Sequence, residues 1–316
     1  MRSVIAGDSA IVAGVSAKPA CDSVTPPRGS AMMPPLDLVT VAASLQSAAR
    51  ALEGVSDSPR LDAEILLSEV LGVPRTGLIV QRGELVAAER REAYDRMIER
   101  RMQGTPVAYL TGSREFWSLN LRVTPDVLVP RPETELLVEL ALSLNPESRP
   151  WSVLDLGTGS GAIALAIATS SPAARVTGID VSAPALAVAA ENSRRLGALT
   201  VCWRRGCWFD AVPGERFDCI VANPPYIAAD DPALPALAAE PALALCSGPT
   251  GLEALAQIAD GAASHLQPRG YLLLEHGSTQ ADAVAAMLAD HGFEGIQSHR
   301  DYSGRPRVTL GAVRAE

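Results

Sequence analysis

After Pro130 the chain alternates short apolar runs with amphipathic helical segments, and this alternation restricts the fold more than any other feature. It predicts an α/β fold with a parallel sheet and helices on both faces, because neighbouring parallel strands need a crossover connection. The expected strands are 153–156, 175–179, 200–203, 217–222, 271–275, 295–299 and 307–310, with helices at 184–196, 252–265 and 280–291. A turn at 301–304 joins the last two strands, so one strand of this seven-stranded, mostly parallel sheet should run antiparallel.

Between residues 35 and 112 apolar residues recur every three or four positions, the period of helices that bury one face. The segments are 41–52, 63–71 and a charged helix at 87–102. This pattern predicts a small N-terminal helical bundle domain, which we expect to recognise a substrate or partner and not to perform chemistry.

The remaining boundaries follow from changes in pattern. Residues 113–130 alternate as a strand pair and contain Pro125, so we expect a β-hairpin linker before a sheet domain at 131–316. Residues 1–34 lack sustained periodicity, which predicts a disordered extension or a start codon placed too early. A signal peptide is the less favoured alternative, since the apolar stretch is weak and has no clear cleavage site.

Charge and cysteine content limit the possible functions. A net charge of −9 argues against affinity based mainly on neutralising phosphates, so nucleic acid is not the expected substrate. No segment approaches the roughly 18 consecutive apolar residues of a membrane-spanning helix. The five cysteines form no Cys-x-x-Cys pair, which favours reduced thiols in a cytoplasmic protein.

A glycine-rich loop follows the first strand of the predicted sheet, where open parallel sheets bind ligands. Its spacing is neither the dinucleotide fingerprint nor a Walker loop. With an acidic residue two positions before its first glycine, it resembles the first motif of class I methyltransferases, which have a Rossmann-like fold and bind S-adenosyl-L-methionine. The resemblance implies cofactor contacts from Gly157, Thr158, Gly159, Ser160 and Gly161.

Two further residues are candidates for the same site. Asp180 closes the second predicted strand, where a carboxylate can accept both hydroxyls of a ribose. The alternative role for Asp180 is a helix N-cap. Trp208 falls where this fold presents a side chain to adenine, although an aromatic residue can also be simple core. The family commonly has an acidic residue before this Trp, and here the residue is Cys207.

The sequence Asn223-Pro224-Pro225-Tyr226 directly follows the strand at 217–222. Two prolines fix φ and remove backbone donors, which holds the turn rigidly at the carboxyl end of the strand. An amide nitrogen is a poor nucleophile because its lone pair is delocalised. The Asn223 side-chain oxygen and the Pro224 carbonyl are expected to accept its N–H groups and orient it, with Tyr226 packed over the planar group. Asn223 also borders the predicted cofactor site. The alternative is a purely structural Pro-Pro turn.

The tetrapeptide also occurs in methyltransferases that act on the exocyclic amines of adenine or guanine, so alone it predicts nitrogen chemistry without a substrate. The rest of the chain from about residue 36 is similar to the release factor glutamine methyltransferases. The resemblance lies in the helical region and in Arg114-Glu115-Phe116-Trp117, Arg131-Pro132-Glu133-Thr134-Glu135, Asn223 to Tyr226 and Leu274-Glu275-His276-Gly277. It implies methylation of N5 of the glutamine in the Gly-Gly-Gln loop of class 1 peptide chain release factors. A noncatalytic adaptor that binds S-adenosyl-L-methionine is the alternative from another class.

Other polar residues give weaker indications. Glu133 and Glu135 follow Pro132 at a predicted helix start, where acidic side chains favour the helix dipole, or they help close the substrate pocket. His265 and His276 lack neighbours at metal-ligand spacing, so we expect no metal.

Overall fold

The computed structural model describes residues 39–145 and 149–315. The predicted extension at 1–34 lies outside the described residues. The first described elements are α1 Val41–Ala51, α2 Pro59–Leu71, α3 Arg75–Val80, α4 Ala88–Met102, α5 Val107–Thr111, β1 Ser113–Phe116 and β2 Leu119–Arg122.

The first five helices form a bundle with α2 between α1 and α4. The Thr40 side chain caps α1 by accepting from the Ala43 N–H at 3.2 Å, and Gly72 ends α2 in the left-handed conformation. Leu66 and Leu67 of α2 lie in the buried apolar centre of the bundle. The Tyr94 hydroxyl of α4 donates to the Ala63 carbonyl at 3.0 Å, which fixes α4 on α2.

The second group of elements forms the predicted sheet and its helices. The strands are β3 Trp151–Leu156, β4 Ala174–Asp180, β5 Cys202–Arg205, β6 Phe217–Ala222, β7 Leu266–Glu275, β8 Glu294–Arg300 and β9 Pro306–Ala312. The helices are α6 Glu135–Ser143, α7 Ala162–Ser170, α8 Ala183–Leu196, α9 Glu253–Ala262 and α10 Ala281–Asp290. Short 3₁₀ turns occur at Pro132–Thr134, Leu234–Leu237, Ala242–Ala244 and Ala263–His265.

The strands lie in the order β5-β4-β3-β6-β7-β9-β8. Neighbours are parallel except that β9 is antiparallel to both β7 and β8, as the predicted terminal hairpin requires. The seven-stranded, mostly parallel sheet is therefore confirmed. The predicted strand pair in the linker is present as β1 and β2.

Alternate residues of the central strands enter two separate apolar cores. Val153 of β3 and Val221 of β6 pack with α6 and α7, whereas Leu154 and Ile220 pack with α9 and α10. A third cluster joins α5, the residues after β2 and α8, and includes Tyr109. The bundle and the sheet belong to one compact unit beginning at Val39, so the domain boundaries proposed at 112 and 130 remain predictions.

The chain order of the strands reverses at β3, which pairs with β4 on one side and β6 on the other. Leu156 lies opposite Ile179 in one pairing and opposite Ala222 in the other. The residues that follow these strands therefore meet at the carboxyl edge of the sheet. A crevice at such a reversal is the usual ligand site of an open α/β sheet.

Candidate active site

The glycine loop after β3 is fixed to the neighbouring strand. The Gly157 and Thr158 N–H groups both donate to the Ile179 carbonyl at 2.9 Å. Gly157, Gly159 and Gly161 have φ of 71°, 54° and 81°. Residues with a Cβ adopt this left-handed backbone conformation only at a cost in free energy. A Cβ at Gly161 would also come within 2.9 Å of the Trp203 ring. The turn therefore requires glycine for both its backbone conformation and its packing.

Asp155 fixes the conformation of this loop through hydrogen bonds. Its Oδ2 accepts from the Thr158 hydroxyl at 2.6 Å and from the Ala164 N–H at 3.2 Å. Its Oδ1 is buried without a hydrogen-bond partner among the described residues. Burial raises the pKa of Asp155 to about 7, against the hydrogen bonds from Thr158 and Ala164.

Asp180 is the last residue of β4 and lies beside the loop. Its Oδ2 accepts from the Gly159 N–H and its Oδ1 from the Ser182 N–H, both at 2.8 Å. The N-cap of α8 is Ser182, whose side chain accepts from the Ala185 N–H, so the N-cap alternative for Asp180 is wrong. Burial raises the pKa of Asp180. Each carboxylate oxygen retains acceptor capacity for ligand hydroxyls.

Trp208 lies across the crevice from the loop. Its φ is 46°, an unusual value for a non-glycine residue, and its indole N–H donates to Gln257 Oε1 at 2.8 Å. The ring is half-buried, and a Cβ added at Gly157 would lie 3.6 Å from it. Trp208 therefore packs on the core and also presents a ring to the crevice.

A cavity of about 440 Å³ occupies this crevice, and five of the predicted cofactor-binding residues line it. They are Gly157, Gly159, Asp180, Trp208 and Asn223, with Cys207 alongside. Thr158, Ser160 and Gly161 do not line it, because they shape the loop instead. Thr158 donates to Asp155, the Ser160 carbonyl accepts from Asn192, and Gly161 is the N-cap residue of α7.

The Asn-Pro-Pro-Tyr turn begins at the carboxyl end of β6. The Asn223 Nδ2 donates to Thr134 Oγ1 at 3.1 Å, and the Tyr226 carbonyl accepts from Gln280 Nε2 at 3.1 Å. The next residue, Ile227, donates its N–H to the Leu245 carbonyl at 3.0 Å. Burial raises the pKa of Tyr226 to about 12, so its hydroxyl is neutral at physiological pH. The turn is thus fixed at both ends.

A second cavity, of about 550 Å³, lies on the other side of this turn. Asn223, Leu128 and Ala244 line both cavities. The charged residues of the second cavity are Arg131, Glu133, Glu275, Arg305 and Arg307. Tyr226 lines this cavity, Pro225 lines the first, and Pro224 is buried and lines neither. If each cavity held a ligand, the two ligands would come together beside Asn223.

The two acidic residues at the start of α6 have different environments. Glu133 lines the second cavity, as expected if it helps to close a substrate pocket. Glu135 Oε1 instead accepts from the Trp117 N–H at 2.8 Å and so holds the β1–β2 turn. The helix start predicted after Pro132 is confirmed.

Thr134 and Glu275 were not singled out individually, although both belong to the quoted sequence motifs. Burial raises the pKa of Glu275 to about 7, opposed by hydrogen bonds from Thr134 and Asn223 and by the charge of Arg307. An acidic residue at the end of an apolar strand was the one available signal for Glu275. Thr134 carried none, because its role depends on a residue 89 positions away.

The two candidate histidines, His265 and His276, have structural partners. His276 is buried between the Gly277 carbonyl at 2.9 Å and Thr309 Oγ1 at 2.8 Å, and burial lowers its pKa. His265 stacks on Phe209 with ring centroids 4.5 Å apart. Within residues 39–145 and 149–315, no group of three or more His, Cys, Asp or Glu residues could hold a metal ion. Over the same ranges no helix has the length and apolar character needed to cross a membrane.

The sheet order, the glycine loop and the site at the strand reversal define a class I methyltransferase. Residues 43–112 match the PrmC N-terminal domain, and residues 133–240 match the methyltransferase small domain. The chain belongs to the family of release factor glutamine methyltransferases.

Two relatives show how far the likeness extends. The release factor glutamine methyltransferase of Salmonella typhimurium is 47% identical over 260 residues, which are 81% of this chain and 93% of that protein. That of Xylella fastidiosa is 47% identical over 254 residues, which are 80% of this chain and 92% of that protein. A solved protein-(glutamine-N5) methyltransferase from Alicyclobacillus acidocaldarius is 30% identical, covering 61% of this chain and 99% of that one, with a TM-score of 0.38.

The first cavity fits S-adenosyl-L-methionine, the methyl donor of this class. The glycine loop leaves room for close approach of a ligand, Asp180 offers acceptors for ribose hydroxyls, and Trp208 offers a ring face for a base. Asp155 does not line this cavity, but its hydrogen bonds to Thr158 and Ala164 hold the loop that does. When bound, the cofactor supplies an electrophilic methyl group on a sulfonium centre.

Proposed function

We propose that this chain transfers a methyl group to the N5 amide nitrogen of the glutamine in the Gly-Gly-Gln motif of class 1 peptide chain release factors. The observation that carries the proposal is the position of Asn223 in the wall shared by the two cavities. The first cavity suits the cofactor. The second cavity, which would hold the substrate, is also lined by Asn223.

The second cavity suits a planar amide. Asn223 Oδ1 receives no hydrogen bond from the described residues, so it is available to accept an N–H from the substrate. Tyr226 lines the same cavity and offers a ring face for the planar group. Fixing the nitrogen in this way favours reaction by orientation, since an amide nitrogen attacks only from a narrow range of directions.

The chemical step is a displacement at carbon. The glutamine nitrogen would form a bond to the methyl carbon that the bound cofactor supplies, the carbon–sulfur bond would break with its electron pair remaining on sulfur, and the nitrogen would then release its proton to solvent water. Asn223 accepts an N–H throughout, and the Pro224 carbonyl is the proposed second acceptor. A buried turn that excludes water strengthens both hydrogen bonds.

A protein substrate suits the charges of the second cavity better than nucleic acid. Two of its arginines are already paired, Arg131 with Glu240 and Arg307 with Asp301. The net charge of −9 argues against affinity that comes mainly from neutralising phosphates. Release factors act on ribosomes, so the proposed substrate implies a cytoplasmic enzyme.

Radiolabelled methyl transfer to purified release factor, DNA and ribosomal RNA in parallel tests the proposal. We expect label in release factor alone. A release factor whose Gly-Gly-Gln glutamine is replaced by alanine is the matched control and should take up no label. Label confined to nucleic acid would instead support an exocyclic-amine methyltransferase, and no label in any substrate would support an adaptor.

A further inference from the structure

The side-chain amide of Asn223 has two ends of nearly equal size and opposite hydrogen-bonding character. Oriented one way it offers the substrate an acceptor, and oriented the other way it offers two donors, which would face the donor N–H groups of the glutamine. The prolines fix the backbone of the turn but do not select between these orientations. The neighbouring side chains must do so.

We propose that Thr134 and Glu275 are positioning residues, which fix the Asn223 amide with its oxygen toward the substrate. This inference rests on the proposed function, because it matters only if Asn223 Oδ1 binds the reacting amide. Neither side chain needs to touch the methyl group or the nitrogen that receives it.

The hydrogen bond from Asn223 Nδ2 to Thr134 Oγ1, at 3.1 Å, is the first part of the argument. A threonine hydroxyl can donate one hydrogen bond and accept two. It accepts from Asn223 reliably only if its own proton is directed elsewhere. If no neighbouring acceptor took the hydroxyl proton, the hydroxyl could donate to Asn223 Oδ1 instead. The Asn223 amide could then flip by about 180°.

Glu275 supplies that direction. It lies beside Asn223, because Ala222 and Leu274 pair in the sheet and both following residues line the second cavity. Hydrogen bonding by Thr134 and Asn223 lowers the pKa of the Glu275 carboxyl, which burial otherwise raises. In its ionised form the Glu275 carboxylate can only accept, so in that form the Thr134 proton would point to Glu275 and the Asn223 amide would present its NH₂ end to Thr134. Glu275 Oε2 is buried without a hydrogen-bond partner among the described residues, so it has a free acceptor for the Thr134 proton. The carboxylate therefore determines which group donates and which accepts in the hydrogen bonds that link Glu275, Thr134 and Asn223.

Both residues lie where water and motion would not disturb this arrangement. Thr134 is 4% exposed and Glu275 is 1% exposed. Thr134 ends the 3₁₀ turn that leads into α6, and Glu275 ends β7. Ala222 pairs with Leu274 in the sheet, so Asn223 and Glu275 leave adjacent strands side by side. Groups on regular elements hold a reacting group more precisely than groups on loops.

Thr134→Val and Thr134→Ser separate the hydroxyl from the space it fills. Valine keeps the branched shape and removes the hydroxyl, whereas serine keeps the hydroxyl. We expect Thr134→Val to lower the single-turnover rate of release factor methylation by about tenfold to a hundredfold, the usual cost of losing a group that orients a site residue. Cofactor affinity should be unchanged, and Thr134→Ser should keep most of the rate. Thr169→Val, which removes a hydroxyl bonded to the Leu165 carbonyl in α7, is the matched control and should match wild type.

A second measurement needs neither cofactor nor activity. The chain has four asparagines, Asn120, Asn145, Asn192 and Asn223, so ¹⁵N-asparagine labelling yields four side-chain NH₂ signals. Asn223→Asp identifies the signal of interest. In Thr134→Val that signal should shift and exchange faster with water, and in Thr134→Ser it should return toward its wild-type position. The Thr169→Val control should leave it in place.

Glu275→Gln provides an independent variant if Thr134→Val unfolds. Its new NH₂ group can donate to Thr134, which removes the fixed polarity, so the rate should again fall. Wild-type rates in both Thr134→Val and Glu275→Gln, with label entering release factor normally, would overturn this inference and leave the proposed function standing. Absence of label with the wild-type chain would overturn the proposed function and this inference together.

Discussion

At the residue scale, the candidate site depends on a few acceptors placed at the ends of strands. Asp180, Asn223 and Glu275 each follow or close a strand of the sheet, and each offers oxygen atoms toward a cavity. The apolar strands position these oxygens without contributing chemistry of their own. Single substitutions at these positions should therefore change function far more than stability.

Asn223→Ala removes one of the two proposed acceptors for the glutamine amide but leaves the two prolines of the turn. Loss of one such group typically lowers turnover by about a hundredfold to a thousandfold. We expect that decrease in single-turnover methylation of release factor, with normal folding and most of the cofactor affinity retained. Asn223→Asp keeps an acceptor and should retain more activity than alanine. A near wild-type rate for Asn223→Ala would make the turn purely structural.

Asp180→Ala should weaken cofactor binding, because the ribose hydroxyls would lose a charged acceptor worth about 1.5 to 3 kcal/mol. Calorimetry with S-adenosylhomocysteine, the demethylated product, measures this directly. The loop would also lose the hydrogen bond from Gly159, so the melting temperature of the apo protein serves as a control. An unchanged affinity would limit Asp180 to a role in holding the loop.

Local motifs predicted part of this site from sequence, and the rest depends on strand register. The glycine loop and the Asn-Pro-Pro-Tyr turn are contiguous, so their spacing alone indicated them. Thr134 reaches Asn223 only because α6 begins beside the end of β6, and no local pattern contains that contact. The same limit applies to the unpartnered oxygen of Asp155, which becomes evident only when its surroundings are known.

At the element scale, the packing of β4 against β5 depends on one glycine. A Cβ at Gly178 would come within 2.4 Å of the Trp203 ring. The ring can therefore pack directly on the backbone of β4 because Gly178 has no side chain. The predicted strands agree in order with the structure but differ at their ends. β5 begins at Cys202 and not at Thr200, since Gly197 ends α8 in the left-handed conformation and the chain still has to turn.

β7 shows the opposite difference, beginning at Leu266 and not at Tyr271. The added segment contains Pro268 and Gly270, residue types that usually interrupt strands. The structure pairs Leu266 with Phe217 and then shifts register before Cys219 meets Tyr271. This shift in strand register accommodates the proline and the glycine within β7. The alternation of apolar and polar residues in the sequence does not reveal such a shift.

Gly178→Ala should destabilise the protein by about 1 to 3 kcal/mol, the usual cost of an extra methyl group in a packed interior. Urea unfolding measures the change. Gly83→Ala is the matched control, because its φ is not in the left-handed region and nothing lies within 4 Å of the added Cβ. If both variants unfolded at the wild-type urea concentration, Trp203 would not pack on β4 as described.

At the scale of the whole molecule, buried carboxyl groups couple folding to pH. Burial raises the pKa of Asp155 from 3.8 to about 7. Its protonated form is favoured in the folded state, so its contribution to the free energy of unfolding is greatest at low pH. That contribution is lost as the pH rises through about 7.

Asp155→Asn should remove this pH dependence because asparagine does not titrate. Between pH 5.5 and 8.5 the wild-type chain should lose about 2 kcal/mol more of its free energy of unfolding than the variant, as linkage requires for a carboxyl shifted to this extent. Urea unfolding of the apo forms at the two pH values is the measurement. Parallel losses in the two proteins would mean that Asp155 is ionised when folded.

The shared wall at Asn223, Leu128 and Ala244 has a consequence for inhibitor design. Because the two cavities meet there, one covalent molecule carrying adenosine at one end and a glutamine side chain at the other can occupy both. Joining the halves makes the second binding step intramolecular, which can raise affinity by about 10²- to 10⁴-fold over either half. Methyltransferases with a similar adenosine cavity but a differently shaped neighbour would accept only half of such a compound, so selectivity would come from the glutamine end.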